Sequence, residues 1–336
     1  MSPKAKEWDV MTHMIRAMKK TAKSSGSTRS IRAFGQEIWK RRAIYSMTVP
    51  ALLFFLLFNY FPMFGVIVAF KNFKFSEGLF RSAWIQPPFK NFEFFFKSGA
   101  YKVLTRNTLF LNACFIIFGT IFAVAIAIMI NELLFTKLKK VLQAGMLMPY
   151  FISWIVTGVF VYSLLNYEFG MLNGLLRSLG VEAVNWYNMP KLWPLILVII
   201  SLWKSTGYTS VIYIAVLTGI DPSYFEAAKM DGATKIQQIR YISIPQLLPT
   251  ITMMVLLSVG KIMNADFGMF YSVVGENSFL YSTADVIDTY VYRTLRNLGD
   301  VGMSSAVGLY QSCVAFILVL LSNAAAHKFQ PDGSLF

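Results

Sequence analysis

Five stretches of this chain run on without a single Lys, Arg, Asp or Glu: residues 43–70, 107–131, 141–167, 241–260 and 301–327. A sixth, 192–220, holds one charge, Lys204. A hydrocarbon core about 30 Å thick needs roughly 20 apolar residues of helix to cross it. Backbone polar groups cannot be left bare in lipid, so spans of this kind are helices. The pattern predicts an all-α membrane protein with six transmembrane helices, near 45–70, 107–131, 143–165, 193–219, 248–273 and 303–325. Only 14% of residues are charged against 56% hydrophobic, well below the roughly 25% charge of soluble domains.

The net charge of +14 suggests nucleic acid until its distribution is read. Residues 1–42 hold eleven Lys or Arg against Glu7, Asp9 and Glu37. A basic tail directly before a first span is the positive-inside signal, so both termini are expected in the cytoplasm, with membrane lipid and not nucleic acid as the tail's neighbour. Trp8, Met11, Ile15 and Met18, and again Ile31, Phe34 and Ile38, recur at helical steps, a pattern suited to an interfacial helix. The loop 71–106 carries seven basic residues yet falls outside, a strain on the rule that long loops tolerate. The first apolar run begins after 42 residues and lacks a small-residue cleavage site, so no cleavable leader is expected. Cys114 and Cys313 fall inside spans two and six and read as small apolar fillers.

Residues 222–249, PSYFEAAKMDGATKIQQIRYISIPQLLP, are the long polar-patterned stretch in the second half. Asp221 is placed to cap a helix whose first turn holds Pro222. Gly232 supplies a residue free to take positive φ and stop it. Thr234 and Gln237 have the spacing of a capping box for a second helix, and Pro245 and Pro249 mark the return into an apolar helix. The segment therefore reads as two helices meeting at a glycine between membrane spans.

That stretch closely resembles the EAA loop of the permease subunits of type I ABC importers. Glu226, Ala227, Ala228 and Gly232 match its Glu-Ala-Ala and glycine, and Leu248-Pro249 its closing Leu-Pro. FNYFPMFGVIVAFKNF, around Pro62, resembles the first span of permeases that take up complex and often acidic oligosaccharides. Gly170 and Asn173 approximate a Gly-x-x-Asn segment of the same family. The resemblance implies a permease fold with a cytoplasmic coupling loop at 221–249, in which Glu226, Ala227, Ala228, Met230, Asp231, Gly232 and Ala233 meet an ATPase. It implies a membrane domain at 43–327 between a basic tail, 1–42, and a short cytoplasmic tail, 328–336. The partners implied are two nucleotide-binding ATPase subunits, a second homologous permease in a heterodimer, and an extracellular solute-binding protein. The setting implied is a bacterial cytoplasmic membrane.

Polar residues inside the spans are the candidates for a cargo path. Lys204 lies near mid-membrane, where a charge costs about 2.5–3.5 kcal/mol on insertion scales. Trp203 and Tyr208 flank it. A polar lumen, snorkelling and a structural partner all remain open for this lysine. Lys261, Asn264 and Asp266 fall in span five, where a gate, a sugar contact and a structural ion pair are open. Two lysines against Asp266 leave a positive excess, which favours an anionic cargo such as a uronate-bearing oligosaccharide.

Catalytic chemistry is not expected. The histidines are His13 and His327, and no Cys/His set has metal-ligand spacing. There is no GxxxxGK[ST] stretch, so this chain holds no cofactor of its own, and ATP and Mg belong to partner subunits. A secondary transporter or channel is the alternative, and it would call for coupling-ion sites or an inverted repeat. A membrane-embedded sugar-lipid transferase would need catalytic carboxylates at a lipid face, and only Asp266 lies inside a span.

Overall fold

The computed structural model describes residues 39–329, the side chains of 325–329 aside. The amphipathic stretches of the tail, His13 and the last residues of the C-terminal tail lie outside them. The chain divides into two compact units between Phe64 and Gly65.

The first unit holds helix α1, Arg42–Phe55, then a π turn at Leu56–Tyr60 and the start of a 3-10 segment, Phe61–Phe70. Pro50 and Pro62 sit within this stretch. Proline withdraws an N–H from the helical ladder, and local 3-10 or π adjustment re-pairs the freed carbonyls. The whole apolar run, Arg42–Phe70, is long enough to cross a membrane.

The second unit is mostly helical over its described residues. Helix α2, Lys90–Lys97, precedes α3, Ala100–Glu132. Span two thus begins earlier than its charge-free run, and Lys102 and Arg106 ride on its first turns. Helices α4, Thr136–Phe151, and α5, Trp154–Leu165, follow. The basic segment 132–142 is largely the start of α4. Helix α6, Met171–Ser178, ends near Gly180 at φ +74°. Helix α7, Trp193–Thr218, packs mainly on α3 and α4. Then come α8, Pro222–Met230, and α9, Lys235–Val259. Helix α10, Ile287–Leu298, leads into α11, Val301–Phe329.

Two expected spans are not single helices. Span three bends by 96° between α4 and α5. Pro149 weakens the end of α4, Ile152 and Ser153 are extended, and the Ser153 hydroxyl restarts the helix by accepting from Val156 N–H at 3.3 Å. Span five stops at Val259. A non-helical elbow follows to Asp266, then a one-turn helix, Phe267–Met269, and a π turn, Phe270–Val274. Among the described residues five helices are long and apolar enough to cross a membrane, and six if the bent pair counts as one span.

Close helix contact is set by small residues, as membrane packing requires. A Cβ on Gly207 of α7 would stand 1.8 Å from the Met146 carbonyl oxygen of α4. One on Gly158 of α5 would stand 2.2 Å from the Ser272 carbonyl oxygen. Buried Trp193, Leu197, Leu111, Met269 and Phe270 form one apolar cluster, and Tyr213, Leu217, Ala127 and Leu247 another nearer the coupling loop.

Candidate functional site: a coupling knob, two elbows and a polar cleft

The knob forms as its local signals dictate. Asp221 Oδ1 accepts from Ser223 N–H at 2.9 Å at the start of α8. Those hydrogen bonds hold its carboxyl below the ordinary carboxylate range. Gly232 stands at φ +79° just past Asp231, where α8 ends. A side chain there meets no neighbour, so only the backbone conformation demands glycine. The Thr234–Gln237 capping box is fully formed. Helix α9 then runs unbroken through a π turn at Ile239–Ser243, just before Pro245, so Pro245 and Pro249 are absorbed without a stop. Glu226, Ala227, Asp231 and Gly232 are exposed, while Ala228 and Ala233 are half-buried. Met230 is 88% exposed and Ile236 77%. Both apolar side chains stand bare on the capped hairpin. At the base of the hairpin, Lys235 pairs with Glu132 of α3 at 2.5 Å.

At the span-three elbow the last carbonyls of α4 run short of helical donors, Pro149 accepting from Ile152 N–H at 3.2 Å. Lys204, only 7% exposed, supplies further donors. Its Nζ donates to the carbonyls of Pro149 at 3.1 Å, Tyr150 at 3.2 Å and Ile152. A cation at a helix C-terminus is also favoured by the helix dipole. Trp203 stacks on Phe160 of α5, and Tyr208 stacks on Tyr150 of α4 at 4.2 Å. All three α7 residues expected along a cargo path therefore brace the elbow. The signal missed was Pro149: a helix broken there exposes carbonyls that a buried lysine can tie.

The span-five elbow is tied from three neighbours. Asn112 of α3 donates to the Ile262 carbonyl at 2.9 Å, and Gln311 of α11 to the Met263 carbonyl at 2.7 Å. Asp288 Oδ2 accepts from Ala265 N–H at 2.9 Å. Asp266 makes no ion pair with Lys261 among the described residues, which removes the structural pair considered for them. Its Oδ2 accepts instead from Trp154 Nε1 at 2.7 Å, and its Oδ1 from Met269 N–H. Lys204 Nζ lies 4.9 Å from the centre of the Trp154 ring, a cation–π contact. The two elbows are thus latched through Lys204, Trp154 and Asp266. Just before α10, buried Asp285 pairs at 2.6 Å with Arg293 of α10, itself partly buried.

Beside the second elbow lies a cleft of about 290 Å³. One wall is the α7 stripe of Ser201, Ser205 and Thr209, spaced four residues apart. Ser205 and Thr209 spend their hydroxyl protons on carbonyls of their own helix, which leaves oxygen lone pairs toward the cleft. Facing them are Asn112 and Thr120 of α3, and Ser258, Lys261 and Asn264. Lys261 and Asn264 are exposed. Of the expected path residues, the structure brings these two to the cleft.

Comparison with known proteins fits this architecture. Residues 110–329 match the family described as binding-protein-dependent transport system inner membrane component. Protein LplB of Bacillus subtilis is 32% identical over 290 residues, covering 86% of this chain and 90% of that protein. The polygalacturonan/rhamnogalacturonan transport system permease protein YteP of the same organism is 30% identical, covering 88% of this chain and 90% of that one. The crystal structure of a bacterial ABC transporter involved in import of the acidic polysaccharide alginate superposes with a TM-score of 0.80 at 29% identity, covering 88% of this chain and 99% of the matched chain. A bacterial alginate ABC transporter in complex with an alginate pentasaccharide-bound periplasmic protein gives 0.78 at 29% identity, covering 88% and 97%. The family match, spanning well over half of the sequence, removes the secondary transporter, channel and transferase alternatives. The chain belongs to the binding-protein-dependent transport system inner membrane components, the multi-pass permease subunits of ABC importers.

Proposed function

We propose that this chain is one of two homologous permeases in a bacterial ABC importer that moves an oligosaccharide, acidic in kind, delivered by an external solute-binding protein. Two ATPase subunits, which carry ATP and Mg, complete the complex, and this chain binds no cofactor itself. Both termini and the knob lie on the cytoplasmic side. The single observation that carries this reading is the knob: a capped helical hairpin with Met230 bare, at the place the EAA loop holds in the family. The acidic cargo is supported by the kinship with YteP and with the alginate transporter, and by Lys261 in the cleft, whose ammonium has no hydrogen-bond or ion-pair partner among the described residues.

The geometry accounts for coupling as follows. The ATPase pair closes on ATP and draws the two knobs together. Helix α9 is joined to the knob at one end and to the second elbow at the other, 25 residues or roughly 37 Å away. It carries the displacement to the cleft as a rod. The latched elbows turn with it, and cargo enters between the two permeases. ATP must bind the outward-open state more tightly than the inward one for the equilibrium to shift. Hydroxyl acceptors on α7 and donors at Lys261 and Asn264 offer sugar hydroxyls partners of both kinds.

The test is Gly232→Val and, separately, Glu226→Lys in the reconstituted importer. Valine at positive φ costs the helix its stop. Charge reversal at Glu226 removes a contact from the exposed face of α8. Both variants are expected in the membrane in normal amount, with uptake lost and ATP hydrolysis no longer stimulated by loaded binding protein. Normal uptake with normal stimulation in both variants would sink the coupling role of this loop.

A further inference from the structure

Beyond the second elbow, Phe267 and Tyr271 lie one helical turn apart and stack at 5.2 Å between ring centres. Tyr292 of α10 packs its ring against both, at 4.9 and 5.2 Å. Exposed Arg296, one turn beyond Tyr292, is tied to the edge of this shelf. Its Nη1 donates to the Tyr271 hydroxyl at 2.8 Å and to the Tyr292 hydroxyl at 2.9 Å. Those two bonds use both Nη1 hydrogens. The Nε–Nη2 edge, the edge that grips a carboxylate with two parallel hydrogen bonds, has no partner among the described residues. Nor is Arg296 in any ion pair there. Elsewhere on α10 the arginine is spent: Arg293 is held by Asp285. Arg296 is different in being fixed by neutral phenols, which immobilise the fork without neutralising it. Each phenol keeps its own proton to donate. Planar rings beside a fixed guanidinium suit a sugar ring that bears a carboxylate: the rings take its C–H face and the fork its anion.

We infer that Arg296, with Tyr271, Tyr292 and Phe267, forms a binding station for a uronate unit of the cargo, distinct from the cleft at Lys261. The station rests on the reading of this chain as the permease of an acidic-oligosaccharide importer. The same stretch of span five joins the two sites: Lys261 and Asn264 line the cleft, and Phe267 and Tyr271 build the shelf a few residues on. An acidic chain released to this permease then meets two cations in succession, a rigid fork and a mobile ammonium. Holding the fork in place in advance lowers the ordering cost of each encounter.

The experiment is uptake by the complete importer in vesicles of phosphatidylcholine alone, so that no anionic headgroup competes for the fork. The probes are a galacturonate trimer and its carboxyl-reduced neutral counterpart, each with saturating binding protein. Arg296→Gln is expected to lower the ratio of acidic to neutral uptake about tenfold. Arg296→Lys, which keeps the charge and loses the fork, should lower it by less. Tyr292→Phe, which keeps the ring and removes one of the two bonds that hold the guanidinium, should lower it about two- to threefold. An unchanged ratio in Arg296→Gln overturns the station, whether both sugars still enter or both are lost through misfolding of the site. A wild-type importer that takes up neither probe contradicts the cargo class itself, and the station falls with it. A wild type that favours the acidic probe, with no change in Arg296→Gln, leaves the cargo class standing and removes the station alone.

Discussion

Lys204 is the residue whose placement most alters what the chain says of itself. A lysine at mid-membrane invites a role in transport, because cations there are costly and usually functional. Its three ammonium protons instead go to the carbonyls of Pro149, Tyr150 and Ile152. Replacing it with Met removes all three of those bonds and leaves Pro149 only the Ile152 N–H as donor. Interhelical hydrogen bonds in membranes average about 0.6 kcal/mol, so losing three is worth about 2 kcal/mol. Lys204→Met should therefore lower the thermal midpoint of the detergent-solubilised complex, and should depress uptake of acidic and neutral oligosaccharides by the same factor. A selective loss of the acidic sugar would return Lys204 to the cargo path. Lys261 is the contrasting case, exposed in the cleft with no partner among the described residues. The sequence alone makes the two lysines look equivalent, since each lies in an apolar run. What separates them is the partner: carbonyls more than 50 residues upstream for one, an open cleft for the other. No local pattern records that difference.

Among the elements, the knob and the elbows differ in how far their causes reach. The knob was legible because its determinants are neighbours in sequence: Asp221 caps two residues on, Thr234 and Gln237 cap each other, and Gly232 takes its positive φ alone. The elbows were not. Apolar content continues through residue 152, and around residue 262 Lys261, Asn264 and Asp266 read as polar residues inside a span rather than as its end. The breaks survive because Lys204, Asn112, Gln311 and Asp288 arrive from other elements to satisfy the freed backbone, which is the condition for irregular backbone at membrane depth. Two outcomes follow. The Asp221 carboxyl is depressed below its unfolded value, so its contribution to the α8 cap is present above the unfolded pKa and is lost as pH falls through the folded one. ATPase stimulation should thus show no loss attributable to this cap between pH 8 and pH 5, and Asp221→Asn, which still caps, should match wild type over that range. The second concerns Gly207, where a Cβ would sit 1.8 Å from the Met146 carbonyl oxygen. Gly207→Val must part α7 from α4, and should abolish assembled complex on a sizing column, whereas Gly232→Val should leave it.

For the whole molecule, the account joins three parts along one chain. In the proposed mechanism an exposed knob receives a displacement, a 25-residue helix transmits it, and a latched pair of elbows beside a polar cleft responds. A single permease builds one side of such a path, and the proposed partner permease builds the other. The central claim is that the knob seats on an ATPase and that uptake depends on that seating. Its most direct measurement is disulfide trapping with Met230→Cys in a Cys114→Ala, Cys313→Ala background, paired with cysteines along the ATPase groove, in the reconstituted importer. The account predicts an ATPase–permease crosslink in high yield, with uptake blocked by oxidation and restored by reduction. No crosslink at any groove position, with uptake untouched by oxidation, would contradict it.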